Sequence, residues 1–412
     1  MQEYGELLQR YANVTVRVGL NLQPGQTLLV MAPVAGVEFV REVVKQAYGA
    51  GARHVYVDWE DEQVTKLRYQ LEPEVALQEF PAWRVEQREQ LAAQGAAFLT
   101  IHAGDPDLLL GVDARRIGAA KKAGLTALAK YREDIQNMRV SWLVVSIPTQ
   151  PWAAKVFPEG TSAEQVARLW QAIFKATRVD GGDPVIAWGN HIKDLHEKAN
   201  FLNEQRFKRL HYRGPGTDLK IELPERHLWI SAESTNDQGT VFVPNMPTEE
   251  VFTLPYRTGV EGVVTSSMPL NHDGVLVENL SLTFRAGRVV DFSADSGYDT
   301  LKEILDADEG SRYLGEVALV PQNSPIANMG TLFYNTLFDE NASCHLAIGS
   351  AYPVCLEGGA QMNREMLDQR GVNHSVMHVD FMIGSAQLNI DGETHDGRVV
   401  PVFRNGNWAS QS

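Results

Sequence analysis

The chain has 412 residues, 44% hydrophobic and 22% charged, and 37 basic against 52 acidic side chains leave it a formal charge of −15. That length exceeds one ordinary core and implies two domains or three, while the acidic balance argues against a nucleic-acid backbone as partner. Two cysteines, Cys344 and Cys355, do not make a disulfide framework and suit a reducing cytoplasm; no apolar run nears the roughly 18 residues of a membrane span. The opening MQEYGELLQRYA lacks a basic start followed by an apolar run, so no signal peptide is expected.

In chain order, the first half alternates strand and helix signals. The short apolar runs 27-TLLVMA-32, 54-HVYVDW-59, 97-AFLTIHA-103 and 142-WLVVSI-147 read as buried strands. Between them, 37-VEFVREVVKQAYGAG-51 has helical periodicity and closes on two glycines, and 112-VDARRIGAAKKAGLTALAKYRED-134 reads as another helix. This alternation predicts a mostly parallel sheet flanked by helices. The turn 33-PVAGVEFV-40 holds one glycine, so no dinucleotide fingerprint is present. Helices are expected over 161–177 and 183–205; within the second, 196-HEKAN-200 ends in Asn200 and is not a zincin motif. From about residue 215 short strands dominate: 217-TDLKIEL-223, 227-HLWISA-232, 240-TVFVP-244, 263-VVTSS-267, 275–295 and 379–391, with turns expected at 286-AG-287 and 391-DG-392. The expected organisation is an α/β domain over 1–200 and a β-rich α+β catalytic domain over 201–412.

Acids and histidines of the second half recur in apolar, strand-like context: 245-NMPTEEVFTLP-255, 271-NHDG-274, 313-YLGEVALVP-321, 338-FDENASCHLAIGSAYP-353 and 374-HSVMHVDFMIG-384. Buried carboxylates are costly unless paired, hydrogen-bonded or metal-bound. On a strand, His378 and Asp380 share one face about 6–7 Å apart, a ready pair of ligands or an acid merely orienting an imidazole. Glu316 opens an apolar strand; read alone, an exposed strand edge is its simpler place. Glu340 and His345 are joined across a turn, and Glu250 has Glu249 as its competitor. Carboxylates plus imidazoles suit Zn²⁺, Co²⁺ or Mn²⁺, and more than four such ligands suggest two ions sharing a carboxylate.

The stretches 245-NMPTEEVFT-253, 314-LGEVALVP-321, 324-SPI-326, 334-YNTLFDENASCHLAIGSAYP-353 and 378-HVDFMIG-384 resemble the leucyl-type metalloaminopeptidases of the aminopeptidase T and aminopeptidase S family, and the likeness runs over nearly the whole chain. The resemblance implies a dinuclear site with Glu250, Glu316, His345, His378 and Asp380 as ligands and Glu316 as the bridge. Glu340 enters as a ligand or as the acid/base group, and Tyr352 as the active-site tyrosine, brought in by a bend near Pro353. It implies removal of N-terminal residues, apolar ones such as leucine among them, from short peptides by metal-activated water. A homodimer with sites facing an enclosed chamber is implied as well. Two other readings stand beside it: a two-metal phosphoesterase, which would need Arg or Lys near the ligands where Arg257 is the nearest, and a non-catalytic binding protein.

Overall fold

The computed structural model describes residues 2–410 apart from Asp273, so the acid of the 271–274 turn lies outside the described residues. The chain forms two compact units, Met1–His191 with Glu233–Pro247, and Ile192–Ala232 with Thr248–Ser412.

The first unit is built on a parallel sheet of β1 (Thr27–Pro33), β2 (His54–Glu60), β3 (Ala97–His102) and β4 (Trp142–Ser146), in the order β2-β1-β3-β4. Leu28, Leu29, Val30 and Ala32 are all buried, so β1 is covered on both faces, as its unbroken apolar run requires. Helix α1 (Gln2–Val14) sends Tyr11 into this core, where its ring stacks on Phe39 of α2 (Val37–Gly49) and its hydroxyl donates to the Ser146 carbonyl at 3.0 Å. Helix α3 (Ser162–Ala176) opens with a capping box of Thr161 and Glu164. The helix expected over 112–134 is two, Ala114–Ala127 and Ala129–Gln136, because Leu128 leaves helical geometry at ψ 15°. Residues 244–246 join this unit by bonding along the β4 edge, with Val144 N donating to Pro244 O at 2.8 Å and Met246 N to Val144 O at 3.0 Å.

Among the described residues the second unit has two large antiparallel sheets and a two-stranded ribbon of Leu270–His272 with Val275–Val277. Eight strands follow the order β10-β9-β8-β6-β5-β14-β15-β16, comprising β5 (Arg209–Gly214), β6 (Thr217–Glu222), β8 (Val260–Thr265), β9 (Ser281–Arg285), β10 (Arg288–Ser293), β14 (Asn389–Glu393), β15 (Val399–Arg404) and β16 (Asn407–Trp408). The β9–β10 hairpin turns on Ala286 and Gly287, both at positive φ, as a two-residue connection demands. The expected turn at Asp391 and Gly392 is instead the middle of β14, where a side chain at Gly392 would overlap the Phe207 ring. The second sheet holds β7 (Val251–Thr253), β11 (Leu314–Leu319), β12 (His345–Gly349) and β13 (His378–Met382), in the order β13-β12-β11-β7. The segment 227–232 is no strand. It makes two isolated bridges, His227 to Leu356 and Ile230 to Phe252 of β7, while Leu228 N turns to Cys355 O and Trp229 N to the Asn203 side chain.

Candidate metal centre

The four-stranded sheet places the acids and imidazoles by register. Ala318 pairs with both Phe252 and His345, Glu316 with Ala347, Ala347 with Asp380, Gly349 with His378, and His345 with Met382. Cross-strand partners point to one side. One face therefore carries Glu316, His345, His378 and Asp380 over the small side chains of Ala318 and Ala347. The opposite face is the core: Val317, Leu319, Leu346, Ile348, Val379 and Phe381 are all buried. Glu250 immediately precedes β7 and joins the polar face from its edge.

These residues converge. His345 Nε2 lies 3.1 Å from Glu250 Oε2 and 3.5 Å from Glu316 Oε1. His378 Nε2 lies 3.6 Å from Glu316 Oε2 and 3.5 Å from Asp380 Oδ1. Two ligand-competent groups result, Glu250 with Glu316 and His345, and Glu316 with His378 and Asp380. Glu316 belongs to both, one carboxylate oxygen facing each imidazole. It is 5% exposed, so the open strand edge that its local sequence favours is not where it sits. Of the adjacent pair, Glu250 enters the cluster, while the Glu249 backbone N–H donates to Asn341 Oδ1 at 2.6 Å.

The donor set fits divalent cations. His345 Nδ1 lies 3.1 Å from the Ser343 carbonyl oxygen and His378 Nδ1 lies 2.7 Å from that of Ser350. A carbonyl only accepts, so Nδ1 carries the proton and Nε2 is turned toward the carboxylates, the arrangement typical of ligating histidines. Asp380 Oδ1 is buried without a hydrogen bond, although His378 Nε2 stands 3.5 Å away.

Electrostatics point the same way. Burial, followed by the Asp380 and Glu250 charges, holds Glu340 well above the usual carboxylate range. Burial and the Glu250 and Asp380 charges raise Glu316 despite its His345 hydrogen bond. Burial works against charge on His345, yet its bonds to Glu250 and Glu316 hold it well above an ordinary imidazole. His378 rises to about 10, its burial outweighed by Asp380 and Glu316. Asp380 is lowered, since the His378 pairing overcomes its burial. Four carboxylates so crowded oppose one another, and cations relieve that opposition.

Two more side chains border the cluster. Glu340 begins the short helical turn Glu340–Ala342, half-buried beside both groups of ligands. The chain bends at Gly349, φ +107°, where a side chain would overlap the Met377 carbonyl. That bend, ahead of Pro353, brings the Tyr352 ring to 5.1 Å from His378 and 6.1 Å from Phe252, edge-on to both. Burial and then the Glu316, Asp380 and Glu340 charges keep its phenol well above the ordinary tyrosine value. Arg257 packs over the Tyr313 ring at 4.4 Å.

Supporting groups carried no sequence signal. Asn373 is fully buried and its Nδ2 donates to the Gly310 and Gly349 carbonyls at 2.9 and 2.6 Å. Asp308 accepts from the Ser375 hydroxyl and the Val376 N–H at 2.8 and 2.7 Å, fixing the approach to β13. Both lie in loops whose partners are distant in sequence.

A family profile described as thermophilic metalloprotease (M29) matches residues 4–408. Aminopeptidase AmpS of Bacillus subtilis (strain 168) is 53% identical over 409 residues, covering 99% of this chain and 100% of that protein. Aminopeptidase 2 of Geobacillus stearothermophilus is 50% identical over 409 residues, covering 99% of each. The solved structure of wild-type AmpT from Thermus thermophilus superposes with a TM-score of 0.92 at 43% identity, covering 98% of this chain and 99% of that one. With a profile spanning nearly every residue and relatives at half identity, the chain belongs to the M29 family of metalloproteases.

Proposed function

We propose that this chain is a metal-dependent aminopeptidase whose two ligand groups each hold a divalent ion. It removes N-terminal residues, leucine among them, from short peptides. The observation that carries this reading is the Glu316 carboxylate, with one oxygen turned to the His345 group and the other to the His378 group. Glu250 and His345 complete the first group; His378 and Asp380 complete the second. Bound ions supply Lewis acidity, polarising the scissile carbonyl and making water nucleophilic near neutral pH.

The chain's own groups do the rest. Glu340, beside both ligand groups but part of neither, accepts the proton of the attacking water and passes it to the leaving amine. Tyr352 stays protonated because burial and its acidic neighbours disfavour its charge, and donates its hydroxyl hydrogen to the oxygen that gains charge. The Ser343 and Ser350 carbonyls keep each imidazole in its ligating tautomer. The acidic cluster attracts the substrate's α-ammonium, which restricts cleavage to the first bond.

Zn²⁺, Co²⁺ and Mn²⁺ all suit this mixed oxygen and nitrogen set. A reducing cytoplasm is the compartment we assign, supported by two free, buried cysteines. Among the described residues no helix is long and apolar enough to cross a membrane. Assembly as a homodimer follows the family resemblance. Chelation should abolish release of leucine from a leucyl anilide and any of the three ions should restore it; full activity in metal-free protein would overturn the reading.

A further inference from the structure

Phe252 is on the ligand-bearing face, two residues after Glu250, and its ring packs edge-on against Tyr352 at 6.1 Å. It is only partly buried, as are Ile230, Val354 and Met362, which pack with it on a buried base of Leu254, Ala351, Leu356 and Val372. An apolar shelf therefore adjoins Tyr352 and, through the two-residue step from Phe252 back to Glu250, the acidic cluster. The chemistry of the substrate says what belongs there. In an aminoacyl residue the side chain springs from the carbon that bears both the α-amine and the scissile carbonyl. A residue with its amine among the carboxylates and its carbonyl beneath Tyr352 must rest its side chain on the wall that adjoins both. The residue beyond the scissile bond has no such double constraint.

We propose that Phe252, with Ile230, Val354 and Met362, forms the subsite for the side chain of the N-terminal residue, and that Phe252 sets its preference for large apolar groups. This rests on the aminopeptidase reading. Contact with a partly exposed phenyl ring favours leucine over alanine by burying additional methyl groups, and a hydrophobic wall of this kind discriminates by roughly ten- to two-hundred-fold.

The test compares leucyl and alanyl anilides on metal-loaded wild-type protein, Phe252→Ala, Phe252→Leu and Met362→Ala, with bound metal counted in each. Phe252→Ala is expected to lose kcat/KM on the leucyl substrate roughly tenfold more than on the alanyl one, chiefly through KM, with the ions retained. Phe252→Leu is expected to keep most of the preference, and Met362→Ala to shift it in the same direction by less. An equal fall in kcat on both substrates would show that Phe252 only positions Tyr352, and would overturn the proposal. So would an unchanged leucyl-to-alanyl ratio in Phe252→Ala. Wild-type protein inert on both anilides would instead overturn the aminopeptidase reading, and the subsite with it.

Discussion

At the scale of single residues, Glu316 and Glu340 are both carboxylates in one acidic cluster, and position separates their tasks. Glu316 touches both imidazoles, so Glu316→Gln should lose bound metal and lower kcat/KM by more than about 100-fold. Glu340 belongs to neither ligand group, so Glu340→Gln should keep its ions and lose kcat by roughly 10²–10⁴-fold with little change in KM. Metal analysis of the two variants beside their kinetics separates these roles, and equal metal loss in both would contradict the assignment. The histidines give a pH dependence. In the metal-free chain His378 rises from 6.5 to about 10. Its protonated pairing with Asp380 and Glu316 thus contributes stability in full below pH 6.5, lost as pH rises through about 10. Ions require the neutral ring, so they must expel that proton, and apparent metal affinity should climb with pH across this window. Calorimetric titration near about pH 7.5 in buffers of different ionisation heat should register proton release; binding without it would count against His378 as a ligand. His378 and Asp380 were legible in the sequence because strand alternation alone puts them on one face. Glu316 was legible only through the family resemblance, since an acid opening an apolar strand reads more simply as an exposed edge, and it is its pairing with Ala347 that buries it among the proposed ligands.

At the scale of elements, the site depends on strand ends meeting at close quarters. Gly349 ends β12 at φ +107° against the Met377 carbonyl, one residue before His378. Gly349→Ala combines a strained backbone with a steric overlap. It should cost about 1–3 kcal/mol in denaturant unfolding and weaken metal binding by displacing β13; a variant as stable and as fully loaded as wild type would contradict this. The short strands were readable from alternation, the helix starts from capping residues such as Thr161, and the 286–287 turn from its glycine. What escaped were features with no local cause. Residues 227–232 alternate like a strand yet divide their bonds among Cys355, Phe252 and Asn203. Gly392 reads as a turn but makes room for Phe207. Backbone carbonyls such as those of Ser343 and Ser350 leave no trace in residue identity, though they aim both imidazoles.

At the scale of the whole molecule, every proposed ligand lies in the unit that contains Thr248–Ser412, and among the described residues the candidate ligand groups draw none from the parallel sheet of the other unit. Ions that bind only the folded state stabilise it by mass action. Chelation should therefore raise hydrogen exchange across 345–349 and 378–382 and leave that of 27–33 and 97–102 unaltered; uniform change over both regions would contradict a centre confined to one unit. The proposed activity requires one carboxylate, that of Glu316, to join two cations. Elemental analysis combined with anomalous scattering on the metal-loaded protein measures that arrangement directly. Two ions per chain, on either side of Glu316 and about 3.5–4 Å apart, is the expected result. A fully active enzyme with a single ion, or with ions away from Glu316, would contradict it.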